Sequence, residues 1–122
     1  MYNKRTRADL KIEVLTNPAC SHCPAAIRAT QELMESNPEL SGRVKWKEIR
    51  ANTSEGRKRT RKYQIRGVPT IILTNKNGQI GIIPGAPMEK KYLEAVYYML
   101  GEEIPAEKKK QFRGFLSNFF GR

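Results

Sequence analysis

The alternation of apolar and polar residues along the chain predicts a small α/β fold. Residues 10–15 alternate apolar and charged side chains, as expected of a half-buried strand. Residues 21–36 instead place Ile27, Leu33 and Met34 on one face of a helix. The same reading of the remaining segments predicts a strand at 44–49, a basic helix at about 54–63, strands at 70–74 and 79–83, and an amphipathic helix at 88–100.

Turn and capping residues separate these segments. Asn77-Gly78 predicts a two-residue hairpin turn between the third and fourth strands. Asn52 is predicted to cap the second helix, with Glu55 completing a capping box. The order β-α-β-α-β-β-α begins with a βαβ unit, which implies a parallel strand pair joined by a right-handed crossover. We therefore expect one α/β domain over residues 10–101, preceded by a basic tail at 1–9.

Residues 102–122 form a basic extension outside this domain. Residues 105–120 are predicted to form an amphipathic helix. Its apolar stripe consists of Phe112, Phe115, Leu116, Phe119 and Phe120. Such a helix can pack on its own domain or on a second subunit, lie on an anionic membrane, or act as a partner-binding tail.

The chain of 122 residues carries a formal net charge of +11. Much of this charge falls on one short segment: Arg57, Lys58, Arg59, Arg61, Lys62 and Arg66. These cations can be a solvated helix face or a docking surface for acidic partners. We do not expect nucleic acid as a partner, because no aromatic stacking platform accompanies these cations. With no membrane-spanning run and no apolar signal-peptide region, we expect a cytoplasmic protein, peripheral to the membrane if residues 105–120 bind it.

The main chemical signal is Cys20-Ser21-His22-Cys23, at the junction of the first strand and the first helix. A helix N-terminus favours a thiolate, and two cysteines at this spacing can cycle between dithiol and disulfide. A mononuclear zinc site is excluded within one chain, because two Cys and one His supply too few ligands. We interpret the two cysteines as a redox pair that needs no other cofactor. Two alternatives remain open: a metal or cluster shared across a homodimer, and a pair of inert buried cysteines.

His22 has two interpretations. It can be an exposed spacer, or a partly protonated imidazole that stabilises the Cys20 thiolate and makes the disulfide more oxidising. The segment Gly67-Val68-Pro69-Thr70 indicates only a turn when its residues are considered alone.

Together these motifs resemble the thioredoxin fold, and most closely small glutaredoxin-like thioredoxins and the glutaredoxin-type modules of protein disulfide oxidoreductases. The resemblance rests on residues 20–23, 65–70 and 71–80, and on Gly85-Ala86 before the last helix. It implies a three-layer fold with a four-stranded mixed sheet. It also implies protein disulfide or dithiol substrates, and an electron donor of the thioredoxin-reductase or glutathione type. A thioredoxin-fold binding module without redox activity is the main alternative function.

The resemblance further implies roles for individual residues. Cys20 would be the attacking thiol, Cys23 the resolving thiol, and Pro69 a cis proline facing the disulfide. The substrate-binding residues would be Val68, through its backbone, together with Arg66, Thr70, Gly85 and Ala86.

The sequence departs from typical thioredoxins near Cys23. Val14 stands where thioredoxins carry a buried aspartate, and strand alternation places Glu13 on the opposite face of the sheet. The sequence therefore predicts no side-chain base for Cys23, so that water or Cys20 would take its proton.

Overall fold

A computed structural model describes residues 8–108 and shows the predicted order of elements. The strands are β1 (Leu10–Thr16), β2 (Val44–Arg50), β3 (Thr70–Asn75) and β4 (Ile80–Pro84); the helices are α1 (Cys23–Ser36), α2 (Ser54–Lys62) and α3 (Glu89–Leu100), with a 3-10 turn at Pro38–Leu40. The sheet order is β2-β1-β3-β4. β1 and β2 are parallel, and the other two pairs are antiparallel. The predicted three-layer fold class is confirmed.

The main core lies between the sheet and helices α1 and α3. Ile12 and Val14 of β1 are fully buried there with Ile71 of β3. A hydrogen bond of 2.7 Å between the hydroxyls of Thr30 and Tyr92 joins the two helices inside this core. Burial raises the pKa of Tyr92 to about 12, against a smaller opposite effect of that hydrogen bond. The core therefore fixes α1, which carries Cys23, against α3 and the sheet.

The opposite face of the sheet is covered by α2 and contains a buried ion pair. Glu13 is 2% exposed and receives hydrogen bonds from Arg59 Nε at 2.9 Å and Nη2 at 2.8 Å. Burial raises the pKa of Glu13, but the hydrogen bonds and charge of Arg59 outweigh it and leave the pKa below its ordinary value. Glu13 thus lies on the face that strand alternation predicts, and there it is buried and paired with Arg59.

Helix α2 approaches the end of β2 so closely that Gly56 has no room for a side chain. A Cβ at this position would lie 2.0 Å from the carbonyl oxygen of Arg50. The helix is capped by Thr53, whose hydroxyl accepts a hydrogen bond from the Gly56 N–H at 3.1 Å. The predicted cap at Asn52 is wrong by one residue, and Glu55 pairs with Lys47 at 3.0 Å.

The predicted two-residue hairpin turn is also wrong. Residues 76–79 join β3 to β4, and the Gly78 N–H donates to the Asn75 carbonyl at 3.0 Å. A two-residue turn of the expected kind requires positive φ at both central residues, whereas Gly78 has a φ of 85° and Asn77 is not in that region. The side chain of Asn75 organises the longer loop by accepting from the N–H groups of Asn77 and Gln79.

Arg43 joins residues that flank the first strand and the last helix. Its guanidinium forms ion pairs with Asp9, which precedes β1, and Glu102, which follows α3. The hydrogen bonds that Arg43 donates to Glu102, and then that to Asp9, raise its pKa. The predictions for residues 1–7 and for nearly all of the helix at 105–120 concern residues outside the described range. Across residues 8–108, every helix is too short or too polar to cross a bilayer.

Candidate active site

The two cysteines flank the start of α1. Cys20 and Cys23 are joined in a disulfide with a Cα–Cα distance of 5.5 Å. The helix begins at Cys23 with His22 as its N-cap, two residues later than predicted, because the residues from Asn17 to Cys20 form a separate turn. In that turn the Asn17 carbonyl accepts from the Cys20 N–H at 2.9 Å, and the Asn17 side chain accepts from the Ala19 N–H at 2.9 Å.

The two cysteines differ in exposure. Cys23 is 4% exposed, whereas Cys20 is half-buried and has its Sγ 3.7 Å from the Val68 carbonyl oxygen. His22 is exposed, and its side chain makes no capping hydrogen bond. No acidic residue occupies the first turn of α1. The partial positive charge of the helix N-terminus is therefore available to a thiolate at this junction.

The segment facing the disulfide is held by its own hydrogen bonds. The Val68–Pro69 peptide bond is cis. The Pro69 carbonyl accepts from the Gly85 N–H at 2.8 Å, and the Thr70 hydroxyl donates to the Gly67 carbonyl at 2.6 Å. Within residues 8–108, the Val68 N–H has no backbone partner. This segment thus presents a fixed, unpaired backbone donor beside Cys20, while Thr70 is buried and stabilises the loop.

A groove of about 640 Å³ runs along this segment. It brings together nearly all the residues predicted to surround the cysteines: His22, Arg66, Val68, Pro69, Thr70, Gly85 and Ala86. Sequence reasoning missed the apolar part of the lining, which includes Tyr63, Ile65 and Ile82. The sequence predicts Ile82 within the strand that returns from the hairpin turn, but its 42% exposure depends on β4 being at the sheet edge.

A second cavity of about 370 Å³ lies on the other side of the disulfide. Both cysteines line it, together with Thr16 from β1 and Glu48 and Arg50 from β2. The Thr16 hydroxyl donates to Glu48 Oε2 at 2.6 Å, and Arg50 Nε lies 3.3 Å from the same oxygen. Sequence reasoning missed these residues because only the register of two strands distant in sequence brings them to the cysteines.

The basic surface of α2 is smaller than the sequence indicates. Arg59 is 22% exposed and its charge is committed to Glu13. Arg57, Lys58, Arg61 and Lys62 are exposed on the helix, and Arg66 lines the groove near Val68. In the part of the chain that the structure describes, no three His, Cys, Asp or Glu side chains are grouped so that they could hold a metal ion.

Comparisons with known proteins agree with the geometry, although no protein-family model matches the chain. A thioredoxin of Methanocaldococcus jannaschii is 37% identical over 87 residues, covering 71% of this chain and 92% of the relative. A probable thioredoxin of Archaeoglobus fulgidus is 27% identical over 92 residues, covering 75% and 91%.

Solved structures with the same fold include chloroplastic thioredoxin z and the thioredoxin of Fasciola hepatica. The first has a TM-score of 0.62 at 23% identity and covers 76% of this chain and 80% of its own. The second has a TM-score of 0.60 at 18% identity and covers 77% and 84%. The sequence relationship to the Methanocaldococcus protein and the Cys20–Cys23 pair lead to one conclusion: the chain belongs to the thioredoxin family and is a disulfide oxidoreductase.

Proposed function

We propose that the chain exchanges disulfides with protein substrates, with Cys20 as the attacking thiol and Cys23 as the resolving thiol. The observation that carries this assignment is the difference in exposure: Cys23 is 4% exposed, whereas Cys20 is the more exposed residue and lies beside the groove. An attacking thiolate must meet a substrate disulfide, whereas a resolving thiol must reach only Cys20. The Cys20–Cys23 pair is the complete redox group in this proposal.

The reaction has two exchange steps. The Cys20 thiolate attacks one sulfur of the substrate disulfide, which forms a mixed disulfide and releases the other substrate sulfur as a thiol. Cys23 then attacks Cys20, closing the protein disulfide and releasing the second substrate thiol. Two electrons and two protons pass to the substrate, and the reverse sequence oxidises a dithiol.

The substrate in this proposal is an extended segment that pairs with the backbone of Val68. The unpaired N–H of Val68 can donate to a carbonyl of the added segment, and the Val68 carbonyl can accept from one of its N–H groups. Gly85 and Ala86 keep the groove shallow at one end, and Ile82 gives it an apolar floor. Arg66 adds a positive charge at its edge. Substrates with an acidic residue near an apolar disulfide segment suit this lining best.

Trapping the intermediate tests the assignment of the two cysteines. A Cys23→Ser variant should accumulate a mixed disulfide with a disulfide-bridged peptide, and dithiothreitol should release the peptide. The matched Cys20→Ser variant should form no adduct. An adduct on Cys23 alone would reverse the two roles. The absence of both adducts, with no peptide reduction by the parent chain, would favour the redox-inactive binding module.

The contribution of Arg66 is tested by substrate charge. Arg66→Gln should raise KM for peptides with acidic residues beside the disulfide and leave KM for neutral peptides unchanged. Lys91→Gln, which removes an exposed charge on α3, is the control. Equal effects of the two substitutions would remove Arg66 from substrate recognition.

The role of His22 is tested by the reduction potential. We expect His22 to favour the Cys20 thiolate and so the reduced form, and the potential should then lie above the thioredoxin value of about −270 mV. His22→Ala should lower it, and this substitution removes no capping hydrogen bond. A parent potential at or below the thioredoxin value would contradict this role. Rates of reduction by a thioredoxin reductase and by glutathione would identify the electron donor.

The alternative of a metal- or cluster-carrying dimer is tested on protein purified without oxygen. Metal analysis and a visible absorption spectrum should show no stoichiometric metal if the dithiol acts alone. A stoichiometric metal or cluster absorption would favour the carrier.

A further inference from the structure

Cys23 must lose a proton before it resolves the mixed disulfide, and β1 offers it no carboxylate. Val14 faces the core, and Glu13 faces α2, where Arg59 occupies both of its oxygens. A thiol that is 4% exposed also has little direct access to bulk water. A base on a neighbouring element would therefore assist the loss of this proton.

The neighbouring strand brings a carboxylate to this side of the sheet. In the parallel register of β1 and β2, Val14 lies opposite Glu48 and Thr16 lies opposite Arg50. Paired residues point to the same face, so Glu48 belongs to the α1 side. The Thr16 hydroxyl, on a residue that is 2% exposed, donates to Glu48 Oε2 at 2.6 Å. A buried hydroxyl is thereby tied to a carboxylate whose side chain is 37% exposed.

The cavity beside the disulfide connects these groups to the cysteines. Cys23, Thr16 and Glu48 all line the same space of about 370 Å³. A water molecule needs only about 15 Å³ of such space, together with polar partners of the kind that Thr16 and Glu48 supply. A short chain of hydrogen bonds through water can therefore join the Cys23 sulfur to the carboxylate.

We propose that Glu48, acting through Thr16 and water in this cavity, accepts the proton of Cys23 during resolution. The proposal rests on the dithiol exchange proposed above. Glu48 is a positioning residue, because it acts on Cys23 through intervening groups.

The Cys23 S–H bond breaks and its proton passes along the hydrogen-bonded chain to the Glu48 carboxylate. The Cys23 thiolate attacks Cys20 Sγ, forming the protein disulfide and breaking the bond between Cys20 and the substrate sulfur. The substrate sulfur leaves as a thiolate and is protonated by solvent, and Glu48 returns its proton to solvent through its exposed side.

The other charged groups around this cavity are cations. Arg50 of β2 lies 3.3 Å from Glu48 Oε2, and Arg28 of α1 lines the same space. His22 faces the groove on the other side of the disulfide.

The test uses the reduced chain and an aromatic disulfide that releases a coloured thiolate at each exchange. Stopped-flow absorbance then shows attack by Cys20 as the first phase and resolution by Cys23 as the second. Glu48→Gln should slow the second phase about tenfold or more near neutral pH, since a positioned base contributes at least that much. The deficit should disappear above about pH 9, where thiols ionise without help. The first phase should be unchanged.

Two further variants complete the design. Thr16→Val, which removes the hydroxyl but keeps the shape, should slow the second phase with the same pH dependence. Glu94→Gln, which removes an exposed carboxylate paired with Lys90 on α3, should change neither phase.

The outcomes separate a proton acceptor from a simple charge or a structural role. If Glu48 acted only as a charge, its removal would favour the Cys23 thiolate and speed the second phase, which would overturn the proposal. Equal slowing at every pH, or an unchanged rate, would also overturn it. If the parent chain shows no second phase, the dithiol function proposed above fails together with the proton route. If the parent shows both phases and Glu48→Gln has the same second-phase rate, only the proton route is refuted.

Discussion

Replacing Arg59 by methionine removes the charge that pairs with Glu13 and keeps an unbranched side chain on the inner face of α2. The substitution leaves a carboxylate that is 2% exposed without its two hydrogen bonds of 2.9 and 2.8 Å. Of the neighbouring charges, Lys11 remains, with its Nζ 3.7 Å from Glu13 Oε2. Lys47 also acts on Glu13 through its charge, so the variant measures the cost of a buried carboxylate that keeps two lysines nearby and loses its hydrogen-bonded partner.

The expected loss of stability follows from the burial and the remaining lysines. Breaking a buried pair by removing one partner typically costs about 3–5 kcal/mol. Because these lysines compensate in part, we expect Arg59→Met to lower the free energy of unfolding by roughly 2–3 kcal/mol at neutral pH. The double variant Glu13→Leu/Arg59→Met should recover most of this loss, since it leaves no buried charge.

The pH dependence gives this prediction a definite sign. In the parent chain the pKa of Glu13 lies below its ordinary value of 4.5, because Arg59 outweighs burial. The stabilisation that the Glu13–Arg59 pair gives is therefore fully present above about pH 4.5, and it is lost as the pH falls through the lowered pKa of Glu13. Without Arg59, burial raises the pKa of Glu13, and stability falls as the pH rises through that raised value. The difference between parent and variant should grow from acid to neutral pH.

Urea unfolding followed by the fluorescence of Trp46, the single tryptophan, measures these differences. Lys90→Met breaks an exposed pair with Glu94 and should cost less than about 0.5 kcal/mol. A loss in Arg59→Met no larger than in this control, or one that shrinks toward neutral pH, would refute the account of the buried pair.

Three further substitutions test the packing that positions the site. Gly56→Ala should destabilise the chain by more than about 2 kcal/mol in urea unfolding, because its Cβ would lie 2.0 Å from the Arg50 carbonyl oxygen; a smaller loss would mean that α2 can shift freely. Tyr92→Phe should cost about 1 kcal/mol by the same measurement, since it removes the hydrogen bond to Thr30, and no change would show that bond to be unimportant. Gly101→Ala should lower the free energy of unfolding by about 1 kcal/mol in calorimetry, because Gly101 has a φ of +76° and the added Cβ would meet no neighbour that could offset this strain; a stabilised variant would contradict this.

The sequence predicted the elements of the fold well because their signals are local. The alternation in residues 10–15 and the spacing of Ile27, Leu33 and Met34 depend only on neighbouring residues, and β1 and α1 follow them closely. The errors occurred where a tertiary contact decided the local geometry. The longer β3–β4 loop is organised by Asn75, which also donates to the Met99 carbonyl of α3 at 3.0 Å.

The site was predicted in part for the same reason. The cysteines and the residues from Arg66 to Thr70 lie in contiguous motifs, so their proximity followed from the resemblance to thioredoxins. Thr16 and Glu48 are 32 positions apart, and only the strand register joins them. Arg59 is 46 positions from Glu13, and its partner could not be identified within a run of similar cations.

Arg43 has a consequence for how this domain can be connected to other structures. It binds Asp9 and Glu102, the residues that stand just outside the predicted domain at 10–101, so a chain trimmed to those limits would lose both of its partners. Asp9 precedes the first residue of β1, whereas Cys20 follows its last residue, Thr16. Asp9 and Glu102, which share Arg43, therefore lie at the end of the sheet remote from the dithiol. A tether attached at Asp9 or Glu102 would hold the domain at the end of the sheet opposite the dithiol and leave the groove accessible.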